Sequence, residues 1–183
     1  MNFRKFMYSA ILFLVPFLTV SGELTGTVIQ VHDGDTLVLK NGENYTKIRL
    51  YGVDCPELKQ EMGEDAKIFT ISLCLGKDVK VKTGKSKDRY KREIGIVATE
   101  TKILNIELLK AGMAWHYKYY SKDKDYADAE QEAISQKLGL WKNPAPQAPW
   151  EYRQAKRKHT TSATHSQVSN KLFFCLSYSY NFH

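Results

Sequence analysis

Two short acidic segments are the first places in this chain where residue types and spacing could do chemistry together. Asp33-Gly34-Asp35-Thr36 separates two apolar runs, and Asp54-Cys55-Pro56-Glu57 follows a third. If those runs are strands of a small barrel, their ends can converge, and Asp35, Asp54 and Glu57 could share a pocket. Hard cations such as Ca²⁺ take oxygen ligands, and carboxylates with a backbone carbonyl and water suit one. The other reading is architectural, because Asp and Gly are what tight turns use. The spacing is not that of an EF-hand loop.

A second feature is cationic. Between Lys77 and Glu93 the chain carries eight Lys/Arg against three acids, whereas Glu23–Lys158 as a whole holds 24 against 20. The basic excess of that stretch therefore lies in this one segment. Within it Asp88-Arg89-Tyr90-Lys91-Arg92 mixes a ring with guanidinium groups. Arginine presents a planar fork to phosphate, and an aromatic ring presents a face to a base. A solvated charge run is the alternative. Arg49 is a different case. It sits inside the apolar run Ile48-Arg49-Leu50-Tyr51, where a charge is costly unless it is paired or lines a site.

The elements that must position these groups can be read from periodicity and punctuation. Thr27–Val31, Thr36–Leu39, Tyr45–Leu50, Val79–Thr83 and Glu93–Thr99 read as five strands. Asn41-Gly42 signals a two-residue hairpin between the second and third. Glu64–Leu75, Leu104–Ala111 and Tyr126–Leu138 read as helices, closed by Gly76, Gly112 and Gly139, with Asp125 as the N-cap of the last. Five strands with a helix after the third predict an α+β chain built on a five-stranded closed barrel of the oligonucleotide-binding kind (OB-fold), with about three helices.

The rest of the sequence mainly sets boundaries. Arg4 and Lys5 precede an uncharged apolar run from Phe6 to about Val20, followed by Ser21-Gly22. This pattern describes a secretory signal peptide over residues 1–22, and the run is short for a membrane span of about 20 residues. An uncleaved anchor is the alternative. The expected location is secreted or periplasmic, with no membrane span after cleavage. Residues 23–158 form the expected folded domain, and 159–183, rich in Ser, Thr, His and then aromatics, an expected poorly ordered tail. Export permits disulfides, yet Cys55, Cys74 and Cys175 cannot all pair within one chain. Cys55 and Cys74 are expected free, Cys74 as a small core hydrophobe. No cysteine or histidine spacing suggests zinc. The formal net charge of +7 favours a polyanionic partner.

Taken together, Gly34-Asp35-Thr36, Arg49-Leu50-Tyr51-Gly52-Val53-Asp54-Cys55-Pro56-Glu57 and Asp88-Arg89-Tyr90-Lys91-Arg92 resemble, in order and approximate spacing, the signature segments of the staphylococcal nuclease (thermonuclease) family. Leu108-Leu109-Lys110-Ala111-Gly112-Met113-Ala114-Trp115, Ala129-Glu130 and Gly139-Leu140-Trp141 extend the resemblance, which covers about Leu24 to Lys158. It implies a calcium-dependent endonuclease that hydrolyses phosphodiester bonds of DNA and RNA and leaves 3′-phosphate ends. Asp35, Asp54 and the carbonyl of Cys55 would ligate Ca²⁺, with Asp33 as an outer acid. Arg49 and Arg92 would hold the scissile phosphate, and Glu57 would activate water. Arg89 and Tyr90 would contact a terminal phosphate and its nucleotide, and Tyr120, with Tyr117 and Tyr119, would stack on bases. A monomer with no stable protein partner is expected. A nucleic-acid-binding barrel without catalysis is the alternative. Cys55 stands where the prototype has threonine, and the loop Leu58–Gly63 is shorter, which bears on the shape of the cleft rim.

Overall fold

The computed structural model describes residues 22–84 and 87–158. The expected signal peptide and the 159–183 tail lie outside them, apart from Gly22. Among the described residues no helix is long and apolar enough to cross a membrane.

Five strands close a barrel. They are β1 (Glu23–Asp33), β2 (Thr36–Asn41), β3 (Asn44–Leu50), β5 (Asp78–Thr83) and β6 (Glu93–Ala98), in the spatial order β1-β2-β3-β6-β5. Closure depends on the length of β1. Its first half pairs with β5, from Glu23↔Lys82 to Thr27↔Asp78, and its second half with β2, from Thr27↔Lys40 to Asp33↔Thr36. Two register shifts in β1, after Val28 and after Val31, turn the strand from one neighbour to the other, as bulges do. Among the described residues the only parallel pair, β3 with β6, sets Arg49 against Ile94.

Period-two patterning builds the interior. In β5 Val79, Val81 and Thr83 are buried while Asp78, Lys80 and Lys82 face water. Val28, Leu37, Leu39, Ile48, Leu50, Val81 and Val97 fill the barrel. Each such side chain contributes about 1.5–3 kcal/mol by leaving water. The helices α1 (Gly63–Cys74) and α2 (Leu104–Lys110) pack on it, and α3 (Lys124–Ser135) packs on α2. Asn105 of α2 is fully buried and ties helix to barrel, accepting from the Val97 amide at 3.0 Å and donating to the Tyr51 carbonyl at 2.9 Å.

Sequence and structure agree on the barrel and on α1–α3, and differ in several details. The hairpin turn is Gly42-Glu43, one residue later than expected, because Asn41 still pairs with Asn44 and Gly42 takes the positive φ of 58°. Asp123 caps α3, not Asp125. The Asp123 side chain accepts from the Asp125 amide at 2.8 Å, as an N-cap does with the N2 amide. That helix ends at Ser135, and Lys137, at φ 53°, takes the left-handed position expected of Gly139. Gly112 closes α2 as expected, at φ 66°, with the Met113 amide reaching back to the Leu108 carbonyl.

Three elements go beyond those expected from the sequence. A two-stranded sheet joins β4 (Val53–Asp54) to β7 (Trp115–His116). A 3₁₀ turn spans Gly139–Lys142. A fourth helix, α4, runs over 149–158. It begins at Pro149, and the Glu151 carboxylate accepts from the Ala148 amide at 3.4 Å. Proline opening a helix and an acid reaching back to its start were the local signals that could have revealed it.

Candidate active site

Asp35, Arg49 and Asp54 meet at one end of the barrel, each delivered by a different element. The turn between β1 and β2 presents Asp35, and the Asp35 amide donates to Asp33 Oδ1 at 3.1 Å. Buried Thr70 of α1 donates its hydroxyl to the Gly34 carbonyl at 2.7 Å and holds that turn down. The turn can lie this low because Gly34 has no side chain. A Cβ there would stand 2.6 Å from Cys55 Cβ and 2.9 Å from Ala66 Cβ. Cys55 in return donates its amide to Asp35 Oδ2 at 2.7 Å.

Arg49 answers the cost of its apolar strand by pairing twice. Nη1 donates to Asp35 Oδ1, and Nη2 to Asp54 Oδ1 at 2.5 Å. Both carboxylates are buried, Asp54 completely. Burial pushes the Asp35 carboxyl up, to about 8, although Arg49 and the Cys55 amide pull the other way. Burial alone would lower the Arg49 guanidinium, but Asp35 and Asp54 outweigh it and raise it further. Cys55 and Cys74 are buried free thiols, both pushed up by burial, Cys74 to about 12.

The basic loop supplies Arg92 to the same network. Its Nη1 donates to Thr36 Oγ1 at 3.2 Å, and Thr36 donates in turn to Asp35 Oδ1 at 3.3 Å. Asp88 fixes the arginine, accepting from Nε at 2.8 Å and Nη2 at 2.7 Å. Arg89 and Tyr90 project outward and are exposed, the Arg89 guanidinium 4.8 Å from the Tyr90 ring centre.

Glu57 does not touch Arg49 or Arg92. Its carboxylate, 41% exposed, is reached by a residue the sequence reading missed, Arg153 of α4. Arg153 Nη1 donates to Glu57 Oε1 at 2.8 Å and Nη2 to Asp54 Oδ2 at 2.8 Å. Trp150, one turn earlier, docks the helix by stacking on Tyr117, with centroids 5.4 Å apart and planes 10° apart.

Sheet β4–β7 brings the tyrosines to this edge. Val53 pairs with His116, Asp54 with Trp115, and the Tyr117 amide donates to the Gly52 carbonyl. Tyr117 lies in the electrostatic reach of Asp54 and Arg153, and burial first, then Asp54, raises its phenol. Tyr119 and Tyr120 remain exposed beside it. Buried Glu130 of α3 anchors the strand, accepting from the His116 amide at 2.8 Å and from Lys118 Nζ at 2.8 Å.

The donor set suits a hard cation. Among the described residues no three His, Cys, Asp or Glu side chains converge as ligands. Two buried carboxylates do share one cationic partner, and a backbone carbonyl at Cys55 would complete an oxygen-only set of the kind Ca²⁺ takes.

The chain is similar in sequence to proteins of known families. Residues 47–143 match the family model described as "Staphylococcal nuclease homologue". An uncharacterized endonuclease of Haemophilus influenzae is 34% identical over 157 residues, covering 84% of this chain and 88% of its own. A micrococcal nuclease of Shigella flexneri is 33% identical over 163 residues, covering 83% and 93%. A staphylococcal-like nuclease of Arabidopsis thaliana is 39% identical over 111 residues, covering 61% of this chain and 34% of its own. With the closed barrel and the converging Asp35, Arg49 and Asp54, these matches establish that the chain belongs to the staphylococcal nuclease family.

Proposed function

We propose that this protein is an exported, calcium-dependent endonuclease that hydrolyses phosphodiester bonds in DNA and RNA and leaves 3′-phosphate ends. Membership of a nuclease family supports the activity itself. The observation that carries the finer reading is the convergence of Asp35, Asp54 and Arg49, with Arg92 linked through Thr36. Asp35, Asp54 and the Cys55 carbonyl would hold Ca²⁺, which when bound supplies positive charge at the phosphate. Arg49 and Arg92 are preorganised donors for phosphate oxygens where negative charge grows in the transition state. Glu57, half-exposed at the mouth, takes the proton of the attacking water. Arg89, Tyr90 and Tyr120 line the outer surface and contact neighbouring phosphates and bases. Recognition through phosphates gives little base preference. The apolar run after Arg4 and Lys5 supports export.

The test is cleavage of DNA and RNA by purified protein with Ca²⁺ or with excess chelator, and end-group analysis of the products. Cleavage with Ca²⁺ that chelator abolishes is expected. Undiminished cleavage in chelator would remove calcium from the mechanism.

A further inference from the structure

Asp54 is crowded with cations. Oδ1 accepts from Arg49 Nη2 at 2.5 Å and from Arg153 Nη1 at 3.2 Å, and Oδ2 accepts from Arg153 Nη2 at 2.8 Å. A carboxylate offers about four lone-pair sites, so a metal approaching Asp54 finds most of them taken.

The two arginines are not equally committed. Arg49 sits in a barrel strand between Thr36 and Ile94 and is shared with Asp35. Its side chain is 20% exposed, whereas that of Arg153, on the last described helix, is 35% exposed. Arg153 can therefore move into water without breaking the barrel, and Arg49 cannot.

We infer that Arg153 is a resident counter-cation of Asp54 and Glu57 that an incoming divalent cation displaces, so that this arginine sets the affinity of the metal site. The inference rests on the calcium reading above. Arg153 is a positioning residue. In the metal-free protein it holds Glu57 beside Asp54, and its departure frees both carboxylates together. Because Trp150 shares its helix and stacks on Tyr117, the exchange also loosens that aromatic contact.

Calorimetric titration of Ca²⁺ into the chelator-treated full chain, without nucleic acid, tests this. Where a competing state holds about nine-tenths of the molecules, apparent affinity is about tenfold below intrinsic affinity. Arg153→Gln is accordingly expected to bind Ca²⁺ about tenfold more tightly than the natural protein. Arg153→Lys keeps the charge but loses the fork that bridges two carboxylates, and is expected to show part of the gain. Tryptophan fluorescence should respond to Ca²⁺ in the natural protein and respond less in Arg153→Gln. Circular dichroism establishes that each variant is folded, and if Arg153→Gln is not, the Lys variant decides. Unchanged or weaker binding in the folded variants would overturn the exchange alone. So would a gain in Arg153→Gln with Arg153→Lys at the natural value, since net charge would then explain it. A natural protein that binds no Ca²⁺ would overturn both this inference and the calcium reading.

Discussion

Asp88 grips Arg92 from four residues away, with one carboxylate oxygen on Nε at 2.8 Å and Nη2 at 2.7 Å, and the other on the Arg92 amide at 2.9 Å. The loop is thereby folded around the side chain it must aim. Burial would raise the Asp88 carboxyl, but these hydrogen bonds outweigh it and hold it below its usual range.

Releasing that grip should cost catalysis more than binding. Asp88→Asn keeps the size and loses the charge-assisted pair, which is typically worth about 1.5–3 kcal/mol. With Arg92 free to leave Thr36, kcat is expected to fall by about tenfold or more, with KM nearly unchanged. Steady-state kinetics on single-stranded DNA will show whether this holds. A normal kcat would mean that substrate alone orders Arg92.

The roles assigned to the arginines separate in the same assay. Arg49→Lys and Arg92→Lys lose the planar fork, and removing one preorganised donor of this type costs about 10²–10³ in kcat. Arg89→Ala, which changes an exposed contact, should mainly raise KM. Near-native kcat in folded Arg49→Lys and Arg92→Lys proteins would refute the site.

Glu57→Gln should also cut kcat strongly while Ca²⁺ binding survives, because Glu57 is bonded to Arg153 and not to the Asp35–Arg49 pair. Parallel kinetics and calorimetry distinguish the two effects. A loss of Ca²⁺ affinity comparable to the loss of kcat would make Glu57 a ligand.

The two described cysteines should resist modification in the folded state. Both thiols are buried and raised, so little thiolate is present at neutral pH. Alkylation followed by peptide mapping should label Cys55 and Cys74 only after denaturation, with no reductant needed. Rapid labelling of either in the native protein would contradict the packing.

His116 predicts an acid sensitivity away from the phosphate chemistry. Burial lowers it from 6.5, so the unfolded chain binds the proton first. Its contribution to stability is present above about pH 6.5 and is lost as pH falls from there toward the folded value. His116→Phe should flatten the fall in melting temperature between pH 7 and pH 5. An unchanged slope would assign the sensitivity to other groups.

What could be read from the sequence was what short-range rules govern. Alternating valines specify β5, a left-handed glycine ends α2, and an arginine inside an apolar strand needs partners whatever the fold. Errors at α3 were local too, since Asp123 and Asp125 both suit a cap and lysine can take a left-handed turn. Apart from Arg153, the candidate site was legible as a set of residues because its acids and arginines fall in compact segments. Their pairing was not. Arg153 is 99 residues from Asp54, and β7 reaches β4 across 61, from Trp115 to Asp54. Such contacts follow from how the barrel closes and where the terminal helix can dock, and no local periodicity encodes them. The sequence by itself determined which charged groups the protein carries to its barrel end; only tertiary structure decided which arginine meets which carboxylate, because a buried charge takes the partner that packing places within hydrogen-bond reach.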